Sequence, residues 1–334
     1  MKTDCDKPAG RALRLRMVVR PVASLARATA FHVNALGFEA VSNVASPSAA
    51  LAHVAFGLPG LPVQVLRLGQ QHLALVEVPS DSMASPFDRG AQDPAFQHMA
   101  LVTDDIDQAW SAVQRVGRAH DAISNAGPVR LPPESGQVTA CKFRDTEGHP
   151  LELLAYDESE MPRQWREVRA RHKTATDDHP GAVKILGIDH SAITVRDADV
   201  SIEFYRALLG LALVGRHLNH GPAQQRLDGL ATGEQAQVDV VGLAPSHATP
   251  HLELLAYRGA GSALAARNPL RAAGLRAVTV FEVDDLHSIE ARAQTRGVTS
   301  QWSRMAAPGA GQAALLHDPD DHALLLWQPH GKTS

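Results

Sequence analysis

Arg144-Asp145-Thr146-Glu147-Gly148-His149 returns 173 residues later as His317-Asp318-Pro319-Asp320-Asp321-His322, and the same offset relates Phe31-His32-Val33-Asn34-Ala35-Leu36-Gly37-Phe38 to Phe204-Tyr205-Arg206-Ala207-Leu208-Leu209-Gly210-Leu211. His72-Leu73-Ala74-Leu75 returns as His251-Leu252-Glu253-Leu254 after 179 residues, and Asp104-Asp105-Ile106 as Asp284-Asp285-Leu286 after 180. Self-similarity in the same order and at nearly the same offset marks a tandem duplication. Its two halves cover residues 11–157 and 186–330, and a linker at 158–185 joins them.

Each half divides again. A short apolar strand leads into a helical stretch such as Asp199 to Leu209, which Gly210 closes as a C-cap. Three further strands follow, separated by Gly, Pro and Asp turns. The same order restarts at Phe96, with a helix from Ile106 to Val116 closed by Gly117 and strands running to Leu154. The expected architecture is therefore α+β, with four βαβββ modules at 13–78, 94–157, 186–258 and 275–329. The linker, rich in Glu, Arg, Lys and His, reads as solvated, with a helix expected around Met161 to His172.

Composition narrows the function. The chain has 334 residues, 44% of them hydrophobic and 20% charged, as in ordinary globular proteins. A net charge of −4 and only 4% aromatic residues offer neither a basic footprint nor stacking platforms for nucleic acid. No run approaches the ~18 apolar residues of a membrane-spanning helix, and Met1 to Arg16 has no apolar core of a signal peptide. Cys5 and Cys141 are the only cysteines, too few for a disulfide framework or a multi-cysteine zinc site. The sequence reads as that of a cytoplasmic protein, monomer or homodimer, acting on a small molecule.

Four residues stand out as chemistry. His98 opens one strand and Glu152 sits in the apolar run Leu151 to Ala155; His190 opens another and Glu253 sits in Leu252 to Ala256. Strand alternation puts His98 with Ala100 and Val102, and Glu152 with Leu154. A glutamate is seldom buried without a partner, and two imidazoles with two carboxylates suit one divalent ion. At the matching positions module one has Met17 and Ala74, and module four has Val278 and Leu325, none of which suits such an ion. His149 and His322 follow tight turns and read as turn residues. His72 and His251 lie two residues before the Ala74 and Glu253 positions, as neighbours of a site or of its substrate. Arg216, Asn219, Gln224 and Gln225 read either as substrate contacts or as a polar hairpin.

The strand-His, Phe-Tyr-x-x-x-Leu-Gly and Asp-x-x-Gly-His-x-x-Glu-Leu patterns resemble the vicinal oxygen chelate superfamily, which includes glyoxalase I, extradiol dioxygenases, fosfomycin and bleomycin resistance proteins and methylmalonyl-CoA epimerase. The resemblance covers nearly the whole chain. It implies that paired modules curl into two cup-shaped mixed sheets with flanking helices. In the fused glyoxalase I enzymes that the layout is similar to, module two pairs with three and module one with four. That pairing implies one complete ligand set, His98, Glu152, His190 and Glu253, and one metal-free cavity lined by Met17, Ala74, Val278 and Leu325, whereas pairing of one with two and three with four would leave half a site in each cup. A linker of about 28 residues reaches ~90 Å when extended and permits it. The implied activity is that of a glyoxalase-like or epimerase-like lyase or isomerase. One divalent ion (Ni, Co, Zn, Mn or Fe) would stabilise an enediolate, with Glu152 or Glu253 as base. Two alternatives stay open: an extradiol-type dioxygenase, and a metal-free small-molecule-binding protein of the resistance type.

Overall fold

The computed structural model describes residues 10–41, 47–58, 60–84, 90–116, 122–124, 126–175, 184–231, 236–246, 250–258, 274–298, 303–307 and 311–330. Four βαβββ modules follow one another. Module one contains β1 (Ala12–Val22), α1 (Leu25–Leu36), β2 (Glu39–Val41), α2 (Pro47–Ala55), β3 (Val63–Leu68) and β4 (Gln71–Glu77). Module two contains β5 (Gln97–Thr103), α3 (Ile106–Arg115), β6 (Val129–Arg130), β7 (Val138–Arg144) and β8 (Pro150–Tyr156). After the linker helix α4 (Arg163–Ala175), module three contains β9 (Ile185–Thr194), α5 (Ala198–Leu209), β10 (Ala212–His220), α6 (Gly221–Leu227), β11 (Gln237–Ala244) and β12 (His251–Tyr257). Module four contains β13 (Val278–Val283), α7 (Leu286–Thr295), β14 (Ser303–Ala307), β15 (Gly311–His317) and β16 (Ala323–Pro329).

Local chemistry accounts for the principal helices. Asp105, Asp197 and Asp285 cap α3, α5 and α7 by accepting backbone N–H bonds of the first turn, and Ser24 does the same for α1. Gly37 and Gly210 end α1 and α5 in the left-handed region, at φ 69° and 65°. The cap position of α3 is Val116, and the expected closing residue Gly117 lies outside the described residues, as does Cys5.

The strands assort across the duplication. One eight-stranded sheet runs β14-β15-β16-β13-β1-β4-β3-β2, joining modules four and one; the other runs β10-β11-β12-β9-β5-β8-β7-β6, joining three and two. At each centre the leading strands of two modules pair antiparallel, β1 with β13 and β5 with β9. The helices assort the other way. α1 and α3 of the first half pack between the backs of the sheets with Leu73, Leu101 and Ile188, while α5 and α7 of the second half do so with Leu15, Phe281 and Leu252. Each half thus shares its helical layer internally and both of its sheets with the other half.

The repeated turn, Asp-x-x-Gly-His at 145–149 and Asp-x-x-Asp-His at 318–322, ties modules within a half. Asp145 Oδ1 accepts the backbone N–H groups of Glu147 and His149, and Asp318 Oδ1 those of Asp320 and His322. His149 Nε2 then bonds Pro21 O of β1 at 2.6 Å, and His322 Nε2 bonds Thr194 O of β9 at 2.9 Å. These histidines are clamps between modules.

Among the described residues, the cup of modules one and four is filled. Met17, Ala74, Val278 and Leu325 are each at most 2% exposed, and Leu51, Ala52 and Ala55 of α2 fill the concavity against them. The expected apolar cavity is a core, because the helix that crosses module one turns its small apolar face inward. Among the described residues, no helix is long and apolar enough to cross a membrane.

Candidate metal centre

His98 on β5, Glu152 on β8 and His190 on β9 converge inside the cup of modules two and three, with Glu253 on β12 beside them. β5 and β8 run parallel, so Glu152 lies one strand away from His98, and its Oε2 is 3.0 Å from His98 Nε2. His190 Nε2 stands 3.6 Å from the same oxygen and 3.5 Å from Glu253 Oε1. A shell with ligand bonds of ~2.1 Å places neighbouring donors about 3.0–3.4 Å apart, close to these separations. The donor atoms of His98, Glu152 and His190 lie within 4.8 Å of one another, as do those of Asp189, His190 and His251, while Glu253 reaches the first cluster through His190.

Electrostatics favour a cation here. Burial, reinforced by Lys142, pushes the His98 pKa down to about 4, so that its ring is neutral and able to ligate. Burial opposes charge at His190 as well, but Glu253, Asp189 and Glu152 outweigh it and hold its pKa well above the ordinary value. Glu152 resists the upward push of burial because Lys142 and the two imidazoles hold its pKa well below the carboxylate range. His190 Nε2 is buried and makes no hydrogen bond. An orphaned imidazole nitrogen amid carboxylates is what an ion-binding donor set presents.

Residues that the sequence did not single out complete the site. β9 pairs with β5 through a bulge: Ala100 faces His190 and Leu101 faces Ile188, leaving Asp189 as the extra residue. Ordinary alternation would send Asp189 to the opposite face, whereas the bulge lets its Oδ2 lie 3.0 Å from His190 Nδ1. Its Oδ1 accepts the Trp165 indole N–H at 2.8 Å, and His251 Nδ1 lies 3.9 Å from Oδ2. Met161 and Trp165 bury themselves beneath the cup with Leu154 and Leu186, so the linker is solvated on one side only. Lys142, directly across β7–β8 from Glu152, pairs with Asp228 at 2.7 Å. Asp228 also accepts from Gln224, whose Oε1 accepts from Asn219. Of the polar residues proposed from module three, Asn219 and Gln224 therefore support the cup from within. Arg216 pairs with Asp199 and Asp239, and Gln225 bonds the carbonyl of Ala231. His72 neighbours Met17 in the other sheet, as His251 neighbours His190.

A sequence model of the glyoxalase/bleomycin resistance protein/dioxygenase superfamily matches residues 14–153 and again 187–326. The chain belongs to that superfamily. Its fold is similar to that of glyoxalase I from Zea mays, with a TM-score of 0.56 at 16% identity over 96% of this chain and 92% of that one. It is also similar to a candidate dioxygenase from Bacillus subtilis, with a TM-score of 0.54 at 10% identity, covering 96% and 86%. Set against curated protein sequences, the chain matches none. At these identities the likeness concerns the fold, and the chemistry has to be argued from the site.

Proposed function

We propose that this superfamily member is a metal-dependent lyase or isomerase of the glyoxalase type, acting on a small substrate with oxygens on adjacent carbons. The observation that carries the reading is the convergence of His98, Glu152, His190 and Glu253 from two modules, with His190 Nε2 left without a hydrogen bond. A divalent ion held there would supply Lewis acidity to the substrate's paired oxygens. The protein's part is to hold the donors and to move a proton. Glu152 is fixed between two imidazoles and Lys142, which suits a permanent anchor. Glu253 touches the cluster at one point and its side chain is 18% exposed, so it is the carboxylate free to swing and accept a substrate proton. Asp189 keeps the His190 ring in place, and Phe96, Ala192 and Leu255 in the adjoining core keep water from the back of the cup.

Elemental analysis of the purified protein tests the metal: one Ni, Co, Zn, Mn or Fe per chain is expected, and no stoichiometric metal overturns the reading. Glu152→Gln and Glu253→Gln should each weaken the same ion and combine non-additively. Two ions per chain, or additive losses, would contradict a shared site. Glu253→Gln should also abolish exchange of the substrate's acidic hydrogen with deuterated solvent while metal is still bound.

One feature favours a second reading. The tight cluster of two histidines and one carboxylate is a donor set used by non-haem iron oxygenases. Oxygen consumption with catechols by the iron-loaded protein, absent in the His98→Ala variant, would select a dioxygenase over a lyase.

A further inference from the structure

Three consecutive residues ahead of His190 are gripped by two separate parts of the chain. Gly187 lies against the ring of Trp165, where a Cβ would come within 2.7 Å of Cζ3. Ile188 exchanges both backbone hydrogen bonds with the side-chain amide of Gln71, which reaches across from the other sheet. Asp189 receives the Trp165 N–H on one oxygen and faces His190 Nδ1 with the other. Trp165 is 3% exposed and stands on α4, the helix that belongs to neither half of the duplication.

We propose that α4 is a positioning device for the candidate metal centre: Trp165, acting through Asp189, sets the ring orientation and tautomer of His190. A carboxylate that binds Nδ1–H obliges the neutral ring to present its lone pair at Nε2, the atom aimed at Glu152 and Glu253. Without the indole N–H, Asp189 Oδ1 keeps only the long contact of 3.5 Å from the Tyr156 hydroxyl, and the carboxylate is free to turn. The other cup supplies an internal contrast. The bulge recurs there at Arg16, between Leu15 and Met17, so the backbone device has survived. In that cup the ligand position is Met17, and the residue before it is an arginine lying over Trp327 instead of a carboxylate. At this bulged position one cup has carboxylate and histidine together, and the other has neither.

The proposal rests on the reading of His190 as a metal ligand, and two readouts separate the two claims. Trp165→Phe keeps the ring and removes the donor. It should weaken Co2+ binding 10- to 100-fold, the usual consequence of losing a residue that orients a ligand, and shift the visible absorption of the bound Co2+. In the metal-free protein the same variant should move the 15N resonances of the His190 ring. Asp189→Asn should act in the same direction and serves if the Phe variant folds poorly. Wild-type Co2+ affinity and an unmoved His190 signal in both variants would overturn the proposal, and a loss in Trp165→Ala alone would reduce the role to packing. If the wild type takes up no Co2+, the metal reading fails, and the His190 resonances alone decide whether Trp165 orients the ring.

Discussion

Replacing Lys142 by Met removes one partner of an ion pair with almost no access to water: the side chains of Lys142 and Asp228 are 3% and 0% exposed and 2.7 Å apart. Breaking such a pair strands a buried charge, which costs about 3–5 kcal/mol, about a fifth or more of the ~5–15 kcal/mol that holds a folded domain together. Gln224 still donates to Asp228 Oδ2, which places the expected loss near the lower end, about 3 kcal/mol. Lys142→Met/Asp228→Asn removes both charges and keeps an acceptor for Gln224. It should recover most of the deficit, leaving the double variant within ~1.5 kcal/mol of the parent, since replacing a whole buried pair is near neutral. Urea unfolding followed by circular dichroism, with the slope checked for constancy, measures all four corners of the cycle. A double variant as unstable as the single one would refute the argument and assign the function of Lys142 to balancing Glu152, its neighbour across the strands.

Burial pushes His149 down to about 4 against 6.5 for a free histidine, so the folded protein holds it neutral on Pro21 O while the unfolded chain takes up the proton. Stability from this group is present above pH 6.5 and lost as pH falls toward 4, by about 3 kcal/mol in all; His149→Gln should flatten that slope, and an unchanged acid limb would count against the clamp. Cys141 is fully buried and its thiol is pushed up to about 12, chiefly by burial. In a Cys5→Ser background it should therefore resist a thiol reagent at pH 8 and react only in denaturant; rapid labelling of the native protein would refute this placement. Residues 1–178 and 179–334, produced as separate polypeptides in one cell, should purify as a 1:1 complex, because each supplies half of both sheets. Two independently folded monomers on size-exclusion chromatography would contradict that topology.

Much of this was legible in the sequence because duplication prints the same signal four times. The βαβββ order, the cap at Gly210, and the complementary survival of His98 with Glu152 and His190 with Glu253 all rest on local pattern. The cross-pairing was foreseen from the resemblance to fused glyoxalases, since no local residue states which strand edge β5 will choose. Asp189 and Trp165 were not legible. A bulge reverses the face of a single residue without changing composition, and a helix surrounded by Glu, Arg and Lys gives no sign that one indole turns inward. Lys142 was visible in principle, as a lone cation in the apolar run Ala140 to Phe143. The filled second cup was missed for another reason: small alanines on α2 look innocuous until a concavity of matching depth is set against them.

That filled cup bears on what a fused chain can do that a pair of identical subunits cannot. In a symmetric dimer every substitution enters both concavities at once, so neither can lose its ligands while the other keeps them. Here the two concavities have separate residues and have parted company. One keeps buried carboxylates, an imidazole nitrogen without a hydrogen bond and a strand bulge, features that ordinarily oppose folding. Among the described residues, the other is packed with hydrocarbon around Leu51, Val280 and Leu325 and serves as ballast. Because β1 and β4 of the ballast lie against the same helical layer as β5 and β8, its cohesion steadies the strained side. Loosening α2 should then be felt at His190, through a sheet that contains no ligand at all.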